Sequence, residues 1–108
     1  MEPDSPAVFK YVEQMPEFKG NVTEWVKENL RYPEKAQKKK KEGKVLVQFT
    51  VWKDGSVGNA AIIRSSGTPE LDEEALRIIS IMPDWIPGRQ NGVAVATFFT
   101  LPLTFRLK

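Results

Sequence analysis

Residues 44–65, KVLVQFTVWKDGSVGNAAIIRS, decide the fold. Val45, Val47, Phe49 and Val51 alternate with Leu46, Gln48, Thr50 and Trp52, the two-residue period of a strand with one buried face. Lys53, Asp54, Gly55 and Ser56 then supply a turn, because Asp and Gly tolerate the left-handed backbone that a tight hairpin needs. Residues 57–63 return as a second strand. A two-residue loop of Asp54 and Gly55 fits, and so does a three-residue loop of 53–55 with Gly55 as a bulge. The choice shifts the pairing by one residue and decides which return-strand side chains meet the core.

Upstream of the hairpin, Asn21 is placed to cap a helix, and Glu24 three residues later completes a capping-box pattern. Val22, Trp25, Val26 and Leu30 then fall on one helical face. Pro33 suits the first turn of a second helix, predicted over residues 34–42 and ended by Gly43. That helix has little apolar face beyond Ala36 and belongs on the surface. Further back, Met15 and Pro16 break a short apolar run of Val8, Phe9, Tyr11 and Val12. Residues 1–14 therefore read as a lead-in that contains at most one short strand, and residues 15–108 as the folded domain.

Downstream, Thr68 and Pro69 read as an N-cap and a first helical position. Glu70, Asp72, Glu73 and Glu74 crowd the first turns, where the helix dipole favours carboxylates. Leu71, Ala75, Ile78, Ile79 and Met82 form the buried stripe, and Pro83 ends the helix. Residues 84–92 read as a loop anchored by Trp85 and Ile86. A last strand is predicted from Val93, with Val93, Val95, Thr97, Phe99, Leu101, Leu103, Phe105 and Leu107 on one parity. Pro102 lies inside it and lacks a ladder donor, so the strand is an edge or bulged strand rather than a central one. The resulting fold class is α+β: a two-layer sandwich with helices on one face of a three-stranded antiparallel sheet, four-stranded if the lead-in joins it. The other face, with Gln48, Thr50, Thr100, Thr104 and Arg106, plus Phe98 and Trp52, is expected to meet solvent or a partner.

The composition narrows the function more by what it lacks. The 108 residues contain neither histidine nor cysteine, which removes the commonest general base, nucleophile and transition-metal ligands. Ser65, Ser66 and Gly67 read as turn residues, and Asp72, Glu73 and Glu74 as dipole-stabilising carboxylates that point in different directions. No catalytic residue, metal or cofactor is expected, and the chain does not read as an enzyme. A formal charge of +2 is too small to indicate a polyanion partner. Lys38, Lys39, Lys40 and Lys41, with Lys35 and Lys44 nearby, are the one concentrated positive patch, and single-stranded nucleic acid is its alternative reading to a solvated surface. Four successive lysines spray around a helix rather than line a groove, so no nucleic-acid partner is assigned.

The last strand is the more informative feature. A long edge exposes unpaired N–H and C=O groups, which proteins either blunt or use. Pro102, Arg106 and Lys108 fit blunting; the functional reading is that the strand up to Leu101 accepts a peptide as an extra strand.

Several landmarks recur together in one known family: Tyr32-Pro33 opening a helix, Gly43-Lys44-Val45 entering a strand, and Lys53-Asp54-Gly55 at a turn. Leu71-Asp72-Glu73-Glu74-Ala75, Trp85-Ile86-Pro87-Gly88, Asn91-Gly92 and the closing Leu101-Pro102-Leu103-Thr104-Phe105 complete the set. In order and spacing, over residues 12–107, they resemble the TonB C-terminal domain family. The lead-in Val12-Glu13-Gln14-Met15-Pro16-Glu17-Phe18 resembles one branch of it. The resemblance implies a periplasmic domain of an inner-membrane-anchored protein, coupling the ExbB–ExbD proton-driven motor to outer-membrane transporters of siderophores, cobalamin or glycans. It implies that the domain binds a transporter's TonB box beside the last strand, on Val95, Ala96, Thr97, Phe98, Phe99, Thr100 and Leu101, with Arg31, Tyr32 and Pro33 near the bound box. Similar domains also end membrane-bound sensor peptidases, so a sensory or interaction domain is the second implied parent. Exposed strand edges leave a homodimer open.

Overall fold

A computed structural model describes residues 7–107; the predicted lead-in residues 1–6 and Lys108 lie outside them. The elements run α1 (Val22–Asn29), α2 (Glu34–Lys38), β1 (Gly43–Val51), β2 (Val57–Arg64), α3 (Pro69–Ser80), β3 (Gly88–Gln90), β4 (Val93–Val95) and β5 (Thr97–Phe105). The main sheet is antiparallel with order β2-β1-β5, so the hairpin strand β1 is central and β5 is an edge. Val45, Val47, Phe49 and Val51 of β1 are fully buried, and Leu101, Leu103 and Phe105 of β5 join them. Leu71, Ala75, Ile78 and Ile79 of α3 close that core, while the α1 stripe of Val22, Trp25, Val26 and Leu30 packs at its margin, half-buried. This is the two-layer α+β arrangement that the periodicities predict.

The turn between β1 and β2 takes the three-residue form. Gly55 N–H donates to the Trp52 carbonyl and Trp52 N–H to the Ser56 carbonyl, with Gly55 at φ +92° in the bulge position. A Cβ on Gly55 would stand 2.3 Å from the Trp85 carbonyl oxygen, and Trp85 N–H donates to the Gly55 carbonyl at 2.7 Å. Glycine is thus required twice, by its backbone angle and by close approach. β2 carries two further irregularities opposite Val47 and Phe49, the second containing Asn59 at φ +52°.

The helical caps hold in part. Asn21 accepts the Glu24 N–H at 3.1 Å. Thr68 starts α3 without a side-chain cap bond; the Asp72 carboxylate instead takes the Ser66 N–H and both the Ser65 and Ser66 hydroxyls. Ser65 and Ser66 are therefore turn residues tied to α3. The second helix ends at Lys38, four residues short of the prediction. Lys40 adopts φ +55°, its N–H bonds the Gln37 carbonyl and Lys41 N–H bonds the Ala36 carbonyl, a Schellman-type stop reached before Gly43. The lysine run consequently winds through a helix end instead of around a helix.

Two further expectations change. Residues 84–92 are not simply a loop: β3 pairs with β4 through the Asn91-Gly92 turn, both residues at positive φ. The predicted continuous strand from Val93 is accordingly split at Ala96, with Val93 and Val95 in β4 and the main-sheet strand beginning at Thr97. The parity that marked the core face is kept from Thr97 to Phe105. The outer face of the sheet is not wholly solvated either, since Thr50 is 1% exposed, paired with Phe98 and Gly58 and flanked by Trp52 two residues on. Among the described residues the lead-in forms no strand of the main sheet; Phe9 contributes a single parallel bridge to Thr97.

Candidate functional site

The edge of β5 is the surface to build. Phe98 N–H donates to the Phe9 carbonyl, so the Phe98 amide points away from β1. Alternation along a strand then turns the backbone groups of Thr100, Pro102 and Thr104 outward as well, and those of Phe99, Leu101 and Leu103 toward β1. Pro102 thus occupies a position where the missing N–H costs the sheet nothing, which explains a proline in a nine-residue strand. Thr100 and Thr104 are the outward donors along this stretch, and the carbonyls of residues 98, 100, 102 and 104 are the outward acceptors.

Both ends of the stretch are fastened. At its start, Phe9 N–H donates to the Ala96 carbonyl and its own carbonyl takes the Phe98 N–H, each at 2.9 Å. At its finish, the Tyr32 ring stands edge-on to Phe105 with centroids 5.7 Å apart, and Leu107 N–H donates to the Glu42 carboxylate at 2.7 Å. The Tyr32 hydroxyl donates to the Lys41 carbonyl; partial burial, then the Glu42 charge, raise its pKa.

Between these ends, α1 forms the wall of a groove. Val22, Val26 and Leu30 face Leu101 and Leu103 across a hollow of about 300 Å³, with Lys27 and Thr23 also on the helix side and Pro102 and Thr104 on the strand side. An extended chain laid on this edge would have main-chain partners on β5 and an apolar slot for alternate side chains. Phe99, on the same face as Leu101 and Leu103 but nearer the start of β5, joins an aromatic cluster, with centroid separations of 4.8 Å to Trp85 and 5.8 Å to Phe49. Trp85 is 2% exposed and also meets Phe18 at 5.4 Å, so this loop-borne residue is a centre of the core behind the edge.

The residues singled out from the sequence separate into three groups. Phe98, Phe99, Thr100 and Leu101 lie together in β5, with Thr97 at its buried start. Val95 pairs with Gly88 in β4 and is off the main-sheet edge, while the Ala96 carbonyl is already engaged by Phe9. Tyr32 reaches the far end of β5, but Arg31 and Pro33 line a separate polar hollow of about 580 Å³ with Glu70, Glu73, Glu74 and Arg77. There the Glu74 carboxylate, 7% exposed, takes Arg31 N–H at 2.6 Å and Arg77 Nε and Nη2 at 2.7 and 2.8 Å. Burial raises the Glu74 pKa, and the Arg77 and Arg31 bonds outweigh it, holding the carboxyl below its ordinary value. This is a structural knot between α3 and the loop before α2.

The groove residues Val22, Val26 and Leu30 escaped the sequence reading as site residues, although they were assigned to a buried stripe. Their signal is that the stripe is incompletely covered: α1 has no buried residue. Among the described residues no cluster of His, Cys, Asp or Glu is arranged to hold a metal ion, and no helix is long and apolar enough to cross a membrane.

Comparison with known proteins agrees with this architecture. A family model described as Gram-negative bacterial TonB protein C-terminal matches residues 28–107. Protein TonB of Helicobacter pylori strain 26695 is 32% identical over 92 residues, 85% of this chain and 31% of that protein. Protein TonB of Haemophilus influenzae is 36% identical over 64 residues, 59% of this chain and 24% of that protein. Protein TonB of Pasteurella multocida is 34% identical over 88 residues, 76% of this chain and 31% of that protein. The chain therefore spans less than a third of the length of these relatives. The solution structure of the Helicobacter pylori TonB-CTD superposes with a TM-score of 0.64 at 28% identity, covering 81% of this chain and 78% of that one. The chain belongs to the Gram-negative bacterial TonB C-terminal domain family.

Proposed function

We propose that this domain is a non-catalytic, force-transmitting adaptor of the periplasm, carried by an inner-membrane-anchored protein driven by the ExbB–ExbD motor. It captures the TonB box of an outer-membrane transporter by adding it as a strand to β5. The observation that carries the reading is the outward edge of residues 100–104, bounded by fastened ends and backed by the apolar α1 groove. A strand added there is loaded along the β1–β5 ladder, which is nine residue pairs long from Gly43–Phe105 to Val51–Thr97. A pull along β5 is then shared among many hydrogen bonds sheared together, a mechanically favourable geometry for an adaptor. The absence of histidine and cysteine from the sequence fits a part that binds and does not transform.

The contact proposed here is displaced from the one that the family resemblance implies. The outward groups lie at Phe98 to Thr104, shifted toward the C-terminus from the 95–101 stretch, and Tyr32 alone of the Arg31-Tyr32-Pro33 segment adjoins β5. The test is amide hydrogen exchange with and without a transporter's TonB-box peptide. Binding is expected to slow exchange at Thr100 and Thr104 while leaving Phe99 and Leu101, already in the ladder, unchanged. Saturable binding that leaves both threonine amides exchanging freely would overturn strand addition on this edge.

A further inference from the structure

The lead-in does something that neither the family match nor the adaptor role calls for. It runs as a strap from β5 to the β3–β4 hairpin. Its second half is held firmly: Gln14 and Arg89 exchange both backbone bonds, and so do Glu17 and Ile86. Glu13 adds two more, its N–H to the Gln90 side chain at 3.0 Å and its carboxylate from Asn91 N–H at 2.6 Å. Among the described residues of its first half, the backbone hydrogen bonds to the rest of the domain come from Phe9, to Ala96 and Phe98. Between the two anchors Tyr11 is 86% exposed and Lys10 is exposed, while Val12 is half-buried against β3, so detachment of this stretch exposes mainly the part-buried Val8, Phe9 and Val12. Where the strap crosses β3 it runs close, since a Cβ on Gly88 would lie 3.2 Å from both the Gln14 carbonyl and the Val12 side chain.

The asymmetry matters because of what Phe9 occupies. The Ala96 carbonyl and the Phe98 amide are the next outward groups of β5 beyond Thr100, the ones a longer added strand would take. We propose that residues 8–12 are a built-in competitor strand, in which Phe9 sets where a partner peptide stops on β5. This rests on the strand-addition reading above. With the strap down, the open edge is residues 100–104, about 17 Å of extended chain and a match for a peptide of about five residues. With residues 8–12 released and residues 13–17 still anchored, the edge extends to Ala96 and takes a peptide of about nine. The domain thus selects an extended peptide by length, and one able to displace Phe9 gains two backbone bonds.

The experiment compares the full chain with Phe9→Pro, which removes the amide that bonds Ala96; Phe9 lies outside the core cluster, so the fold is retained. Two transporter peptides, of five and nine residues with the TonB box in common, are titrated against both proteins, and exchange of the Phe98 amide is followed. In the wild type the nine-residue peptide is expected to bind within about threefold of the shorter one, with Phe98 protected before peptide is added. In Phe9→Pro the free Phe98 amide should exchange faster, and the longer peptide should bind about tenfold tighter than the shorter one. The same ratio of affinities in both proteins, or a Phe98 amide indifferent to Phe9→Pro, overturns the competitor strand and leaves strand addition standing. If neither peptide binds either protein, strand addition falls and the competitor role falls with it.

Discussion

Thr100→Pro separates the edge from the fold. The Thr100 amide points away from β1, and its side chain is exposed, so proline there removes an outward donor without touching the β1–β5 ladder. Pro102, two residues along with the same outward parity, is already accommodated. The cost to stability is therefore expected to be below about 1 kcal/mol. Binding loses one backbone bond and leaves a peptide carbonyl without its partner, a change of about 1–1.5 kcal/mol or close to tenfold in Kd. Thr104 then remains as the sole outward donor of residues 100–104. Phe99→Pro is the contrasting variant. It deletes an inward amide opposite Phe49 and the ring that contacts Trp85, so about 3 kcal/mol or more of stability goes with it. Urea unfolding should place Thr100→Pro near wild type and Phe99→Pro well below it, while fluorescence anisotropy with a labelled TonB-box peptide should show weakening in Thr100→Pro. A Thr100→Pro protein with wild-type stability and wild-type affinity would refute the outward-amide argument. If Thr100→Pro instead unfolds as readily as Phe99→Pro, the parity deduced from the Phe9 bridge is wrong.

Two further predictions concern the frame that holds the edge. Gly55→Ala places a Cβ 2.3 Å from the Trp85 carbonyl at a positive φ, so strain and the lost Trp85–Gly55 bond together should cost about 3 kcal/mol by urea unfolding; Gly92→Ala, with open space around its Cβ, should cost about 1 kcal/mol. Equal losses in the two variants would show that close approach to Trp85 contributes nothing. The Glu74 knot predicts acid sensitivity: a carboxyl whose pKa is lowered by folding stabilises the folded state above its unfolded value near 4.5, and that contribution disappears as pH falls through the lower folded value. Glu74→Gln should lose about 2 kcal/mol at pH 7 and flatten the pH dependence of unfolding below about pH 4.5; an unchanged acid slope would count against the knot.

The parts of the molecule legible in the sequence are those governed by a short period. β1, α3 and the core face of residues 97–105 repeat every two or three to four residues, and each repeat faces one neighbour layer, so pattern and burial coincide. The failures occur where two signals of the same period abut. Val93 and Val95 share the parity of Thr97 and Phe99, which hid the break at Ala96 and the β3–β4 hairpin behind one long run. The Asn91-Gly92 turn was the available cue, because two residues at positive φ between short apolar stretches favour a hairpin over a loop. Trp85 was legible as an anchor, but its place among Phe18, Phe49 and Phe99 depends on segments distant in sequence, Phe18 and Phe49 each more than 30 residues from it, which no local pattern encodes.

The candidate site was legible by the same division. Pro102 marks β5 as an edge because a central strand has no place for a missing amide, and the edge is where the prediction put it. Which part of the edge is free was not legible, because a single residue, Phe9, decides it through two bonds spanning almost 90 positions of chain. One bridge leaves no periodic trace. For the proposed strand addition its consequence is direct: it leaves residues 100–104 as the open stretch, in place of the expected 95–101, beside the α1 groove, where an added strand would meet apolar side chains as well as backbone. Edge strands invite unwanted pairing, and proline on the strand or a covering segment are both ways of blunting them. Here both occur on one strand: the Phe9 bridge closes one end of the open stretch of residues 100–104 and Pro102 removes a donor inside it, so under the proposed strand addition the features that protect β5 from indiscriminate pairing would also restrict the peptide it accepts.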